Sequence, residues 1–147
     1  MKKTALCLQL LITTSLFALS AIAQAEVALS DAWVRATNPG QAVGAAYVTF
    51  KSKEPVTLVY VETERAGSVE MHSMTMDNGI MKMRSMEELP VPAGQTVKLA
   101  PSGLHLMLFE LASPLQAGEQ VKFRLCFKDK HGKITDQFVT MPVKTAQ

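Results

Sequence analysis

With 147 residues, 48% of them apolar and 19% charged, the chain holds enough material for one domain with a packed core. Its formal charge of +2 is carried by Lys2 and Lys3, so residues 26–147 balance at 13 basic and 13 acidic side chains. Such neutrality excludes the clustered positive surface that nucleic acids demand and leaves no electrostatic hold on anionic lipid.

Residues 1–25 read as a secretory signal. Lys2 and Lys3 form its charged start, residues 5–22 its apolar middle and Ala23-Gln24-Ala25 a small-x-small cleavage site, so the processed chain is expected to begin at Glu26. An uncleaved membrane anchor is the alternative. Against it, Gln9, Thr13, Thr14, Ser15 and Ser20 interrupt an apolar run that only approaches bilayer-spanning length, and no later stretch is apolar enough to span. The domain is therefore 26–147, whose 122 residues suffice for one sandwich or barrel.

In chain order, strands are predicted over residues 27–36, 45–51, 56–61, 68–75, 80–86, 96–99, 105–111, 120–127 and 134–141. Specific turn signals separate many of them: Asn38-Pro39-Gly40, Asp77-Asn78-Gly79, Pro92-Ala93-Gly94, Pro101-Ser102-Gly103 and His131-Gly132. Residues 121–128 alternate apolar with mostly polar side chains, as a strand with one wet face does. No long segment carries helical periodicity. The expected class is all-β, an antiparallel sandwich or barrel of eight to nine short strands.

Six of the eight methionines in residues 26–147 fall in the hairpin predicted around Asn78-Gly79, as Met71, Met74, Met76, Met81, Met83 and Met86. Core gap-filling or an adaptable partner surface is the ordinary reading of such an excess. Methionine, however, suits a strand less well than Val or Ile. Two histidines accompany the thioethers. In Leu104-His105-Leu106-Met107-Leu108, period 2 puts the three leucines on one face and His105 with Met107 on the other. In the hairpin, Asn78-Gly79 favours a two-residue type I′ turn, and that register sets Met74 opposite Met83 and His72 opposite Ser85. His72 and Met83 then become diagonal neighbours on one face, about 7 Å apart. Two imidazoles and two thioethers form a soft, neutral donor set that suits Cu(I) better than Zn(II), Mg(II) or Ca(II).

His72, ten residues, Met83, twenty-one residues and His105-Leu106-Met107 together match the H-x10-M-x21-H-x-M signature of the PCuAC family of periplasmic copper chaperones, which the chain resembles. The resemblance extends to Asp31-Ala32-Trp33-Val34-Arg35, Ala45-Ala46-Tyr47-Val48-Thr49 and residues 101–108, covering most of the processed chain. It implies a cupredoxin-like Greek-key β-barrel or sandwich. It also implies a Cu(I) site made by His72, Met83, His105 and Met107 in a periplasmic monomer. The partners it implies are copper acceptors: the cytochrome c oxidase subunit with the binuclear copper centre, or a Sco-type assembly factor. Some relatives carry a His- and Met-rich C-terminal tail that takes up Cu(II). This sequence ends Met141-Pro142-Val143-Lys144-Thr145-Ala146-Gln147, so no site of that kind is expected.

Three rival readings remain. A blue-copper electron carrier needs a Cys thiolate beside two His and a weak axial Met. Cys126 with His131 offers part of that set, although Met141 lies far downstream and residues 128–133 read as an exposed turn that solvates His131. Cys7 leaves with the signal, so Cys126 has no disulfide partner and is either buried and inert or reactive. A non-metal interaction domain would explain the methionines but not the matched histidines, and copper tolerance or storage would use the same site. An enzyme finds no support, since there is no phosphate loop, nucleophile signature or apolar carboxylate pair. Asp31, Glu70 and Glu110 read as solvated or salt-bridged strand residues, and Trp33 and Tyr47 as core aromatics.

Overall fold

Period-2 alternation builds ten strands in the computed structural model, which describes residues 26–145; the expected signal at 1–25 lies outside the described residues. They are β1 (Val27–Arg35), β2 (Gly44–Ser52), β3 (Val56–Glu62), β4 (Ala66–Asp77), β5 (Ile80–Met86), β6 (Leu89–Val91), β7 (Thr96–Lys98), β8 (His105–Leu111), β9 (Gln120–Asp129) and β10 (Ile134–Lys144). All nine expected strands form, and none of the described residues is helical. β6 is the addition. Pro90 in its centre reads as a strand breaker, but β6 is an edge strand, where a missing N–H breaks no ladder on its free side. Leu89 and Val91 pair with Leu58 and Val56 and are buried.

The hydrogen-bonded order is β5-β4-β8-β2-β1-β10-β9-β3-β6, with β7 beside β2, and the path is open at β5 and β6. It folds over into two layers, β5-β4-β8-β2-β1 and β10-β9-β3-β6. The layers are joined where β1 meets β10 as a parallel pair, Val34↔Val143 and Arg35↔Lys144. Every other named strand pair is antiparallel. This one parallel contact unites the two ends of the described chain, so no local pattern announces it.

Inward faces of both layers make one core. Val34, Ala46, Val48, Phe50, Leu106 and Leu108 from the first layer meet Leu58, Phe123, Leu125 and Met141 from the second. Phe50 and Phe127 meet edge to face with centroids 5.8 Å apart. Truncating a buried leucine such as Leu106 or Leu108 costs about 2–5 kcal/mol, so the parity of β8 is strongly held.

The β4–β5 hairpin runs beyond the shared core on its own turn. Asn78 at φ 50° and Gly79 at φ 79° both occupy the left-handed region, as a type I′ turn requires. The ladder runs without a slip from Met71↔Met86 to Asp77↔Ile80, the expected register. Near the other end of β4, a Cβ on Gly67 would stand 2.3 Å from Glu110 Oε2, so a side chain there would have to displace the Glu110 carboxylate, which now lies over the glycine.

A side chain on Gly79 would meet nothing within 4 Å, so Gly79→Ala carries a backbone cost alone, about 1–2 kcal/mol. Hydrogen exchange should show amide protection between Met74 and Met83 falling about 5- to 30-fold. The β9–β10 amides should be unchanged.

Candidate metal centre

Because Leu106 and Leu108 point into the core, His105 and Met107 are turned to the outer face of the first layer. His105 is nevertheless 6% exposed. Its Nδ1 lies 2.9 Å from the Gly103 carbonyl oxygen. A carbonyl only accepts, so Nδ1 carries the proton and Nε2 keeps its lone pair.

β4 brings His72 directly opposite His105, with ring centroids 5.8 Å apart and planes tilted by 49°. That spacing accommodates one ion shared by two imidazoles at ordinary metal–nitrogen distances of about 2.0–2.1 Å. His72 is 9% exposed. Its Nε2 donates to Glu70 Oε2 at 2.8 Å, which leaves Nδ1 as the lone-pair nitrogen, buried and without a partner. The two rings thus hold opposite tautomers.

Met107 lies half-buried next to His105 and in register with Glu70. Met83 stands opposite Met74 and His72 opposite Ser85, so Met83 is diagonal to His72 on the same face; it is 49% exposed. All four residues singled out by the sequence therefore share one outer face of β5-β4-β8, imidazoles sunk and thioethers at the rim. Phe109 walls one side, its ring centroid 6.1 Å from that of His72.

Of the two roles the sequence offered for Glu70, solvated or paired, the structure shows the paired one. It holds the His72 ring, and Ser85 Oγ donates to the same oxygen at 3.5 Å. Its spacing of two from His72 was the available signal, since i and i+2 share a face. Tyr47 is buried, as expected of a core aromatic, whereas Trp33 is only half-buried. They form a tilted pair with centroids 4.5 Å apart, and parity puts both on the outer, histidine-bearing face of the first layer, apart from the cluster between the layers. Asp31 accepts from Thr49 Oγ1 at 3.4 Å, and Glu110 lies over Gly67.

Cys126 belongs elsewhere. Val121, Phe123, Leu125 and Phe127 of β9 face the core, so Cys126 points to the outer face of the second layer with Arg124, opposite the side that holds the histidines. Burial, with a hydrogen bond to Asp136, pushes its thiol pKa up. His131 is exposed in the β9–β10 turn, its backbone N–H donating to Asp129 Oδ1 at 2.8 Å. This placement removes the thiolate that a blue-copper site needs.

Residues 27–143 match the family model of LpqE-like lipoproteins. The protein Lxx21020 of Leifsonia xyli subsp. xyli is 33% identical over 104 residues, covering 70% of this chain; the chain spans only 63% of that relative's length. Among solved structures, apo-DR1885 from Deinococcus radiodurans superposes with a TM-score of 0.60 at 31% identity, covering 99% of this chain and 97% of that one. The Cu(I) form of DR1885 gives 0.58 at 32% identity, over 87% and 85% of the two chains. The apo PCuAC domain of PmoF1 gives a TM-score of 0.66 at 21% identity over 84% of this chain and 98% of that one, a likeness of fold. The all-β, cupredoxin-like Greek-key architecture expected from the sequence is thereby shown.

Two measurements test this geometry. Long-range nitrogen–proton spectra of the metal-free protein should report protonated Nδ1 for His105 and protonated Nε2 for His72; the same tautomer on both would contradict the hydrogen bonds described. Iodoacetamide at neutral pH should leave Cys126 unmodified in the folded protein, because a raised pKa and burial keep thiolate scarce, and should modify it rapidly once the protein is unfolded. Equal rates in the two states would contradict its burial.

Proposed function

The chain belongs to the LpqE-like family, and from that premise we propose that it is an exported Cu(I) chaperone, holding one ion through His72, Met83, His105 and Met107 and passing it to another protein. One observation carries the reading. Two buried imidazoles, His72 and His105, stand opposite one another on a face rimmed by the thioethers of Met83 and Met107; each keeps one lone-pair nitrogen, and that of His72, Nδ1, is itself buried and unpartnered. An unpartnered buried nitrogen costs about 1–3 kcal/mol, and a bound metal would relieve it. Neutral nitrogen and thioether donors favour a soft monovalent ion, and the solved Cu(I) form of DR1885 supports the same choice.

The donors differ in accessibility, which suits delivery. His72 and His105 are anchored from behind by Glu70 and the Gly103 carbonyl, while Met83 is half exposed. An acceptor bearing thiolates displaces the rim thioethers first and then draws the ion off the imidazoles. No thiolate here competes for it. The acceptors the family resemblance brings are the binuclear copper centre of cytochrome c oxidase and a Sco-type assembly factor. Export to the periplasm rests on the signal pattern at 1–25 and on the lipoprotein family.

Met83→Leu tests the site, since it removes one soft donor while nearly keeping volume, at a folding cost below about 1.5 kcal/mol. In anaerobic titration against a competing chelator, Cu(I) affinity should fall about tenfold or more, ~1.4 kcal/mol. Cys126→Ser should bind as the parent does. If Met83→Leu keeps full affinity and Cys126→Ser loses it, the thioether site is wrong. Transfer of the ion to an apo Sco-type protein, followed by mass spectrometry, checks the acceptor.

A further inference from the structure

The β4–β5 hairpin carries more thioether than one copper site uses. Its face continuous with Met71 and Met86 packs on the core near the body and then becomes polar or charged, through Ser73, Thr75, Lys82 and Arg84. The opposite face holds His72 and Ser85 and then methionine at every remaining position before the turn region: Met74 opposite Met83, Met76 opposite Met81. Core packing cannot account for them, because parity turns all four away from the core and Met76, Met81 and Met83 are 66%, 48% and 49% exposed. An edge strand ordinarily shields such a face with charge. Here the face carries four thioethers.

Resting on the chaperone reading above, we propose that Met74, Met76 and Met81 form a second, weaker Cu(I) site, contiguous with the first through Met83. Directly opposed side chains in a ladder have Cβ atoms about 4.5–5.5 Å apart, and diagonal ones about 7–8 Å. Unbranched side chains with three rotatable bonds close those gaps around one ion. Three neutral sulfurs with no carboxylate among them select a soft monovalent ion and disfavour Zn(II) or Ca(II). Affinity is lower than at the histidine site because exposed, unanchored thioethers lose rotamer freedom on binding. The second site lies at the solvent end of the hairpin and shares a ladder rung with Met83. An ion captured there is one cross-strand step from the imidazoles.

The test uses protein labelled with 13C at the methionine methyls, titrated anaerobically with Cu(I) and, separately, with redox-inert Ag(I). The first equivalent should move the Met83 and Met107 methyls, and the second those of Met74, Met76 and Met81. In Met76→Leu/Met81→Leu the second equivalent should bind at least tenfold more weakly with the first unchanged; the exposure of both positions keeps the folding cost small. Met107→Leu separates the two readings, since it should weaken the first equivalent alone. If the Met76 and Met81 methyls stay fixed at excess metal, or the second equivalent survives their replacement, the second site is refuted and the methionine face is a protein-docking surface. If Met107→Leu leaves the first equivalent untouched while Met76 and Met81 still respond, the histidine site is at fault and the thioether site stands.

Discussion

Leu106 and Leu108 are the fixed point of the molecule. Both are fully buried between the two layers, and a shift of one residue along β8 would exchange them for His105 and Met107, sending an imidazole into hydrocarbon and two leucines into water. Burial of ordinary aliphatic groups thus determines where the metal-binding chemistry stands. From that anchor β4 is registered by Met71, whose side chain packs on the core opposite Leu106, and the next residue along brings His72 to His105.

A second, local device extends the arrangement. The left-handed Asn78-Gly79 pair fixes the pairing of β5 on β4 without help from the core. Met83 therefore reaches the histidines through turn chemistry, whereas His105 and Met107 reach them through packing. The two sides of the site differ accordingly in rigidity: imidazoles braced by Glu70 and the Gly103 carbonyl, and a thioether on a hairpin that projects from the body.

Much of this was legible in residues alone, because period 2 and an Asn-Gly turn are local signals. They located nine strands, the register of the hairpin, and two pairs each on one face, His72 with Met83 and His105 with Met107; the β4–β8 pairing that joins the pairs is not a local signal. Less was legible where chemistry is non-local or masked. Pro90 disguised an edge strand whose neighbours Leu89 and Val91 are buried. The parallel seam of β1 and β10 depends on residues more than a hundred positions apart. The contact of Glu70 with His72 needed a side-chain rotamer as well as parity, and the tautomers needed the Gly103 carbonyl. Cys126 is instructive in the opposite direction. The alternation of Val121, Phe123, Leu125 and Phe127 already assigned it to the outer face, a conclusion open to the same parity reasoning that served for His105.

The exposure of the rim has a chemical cost. Met76, Met81 and Met83 are 66%, 48% and 49% exposed, so they are the side chains that peroxide or hypochlorite meets first. Conversion of a thioether to a sulfoxide replaces a soft sulfur donor with a hard, polar oxygen. The fold would survive that change, because none of the three supports the core, but the face would lose its preference for a soft ion while the sunken imidazoles kept theirs. The methionine-bearing hairpin is thus the part of the molecule whose working life depends on methionine sulfoxide reductases in its compartment.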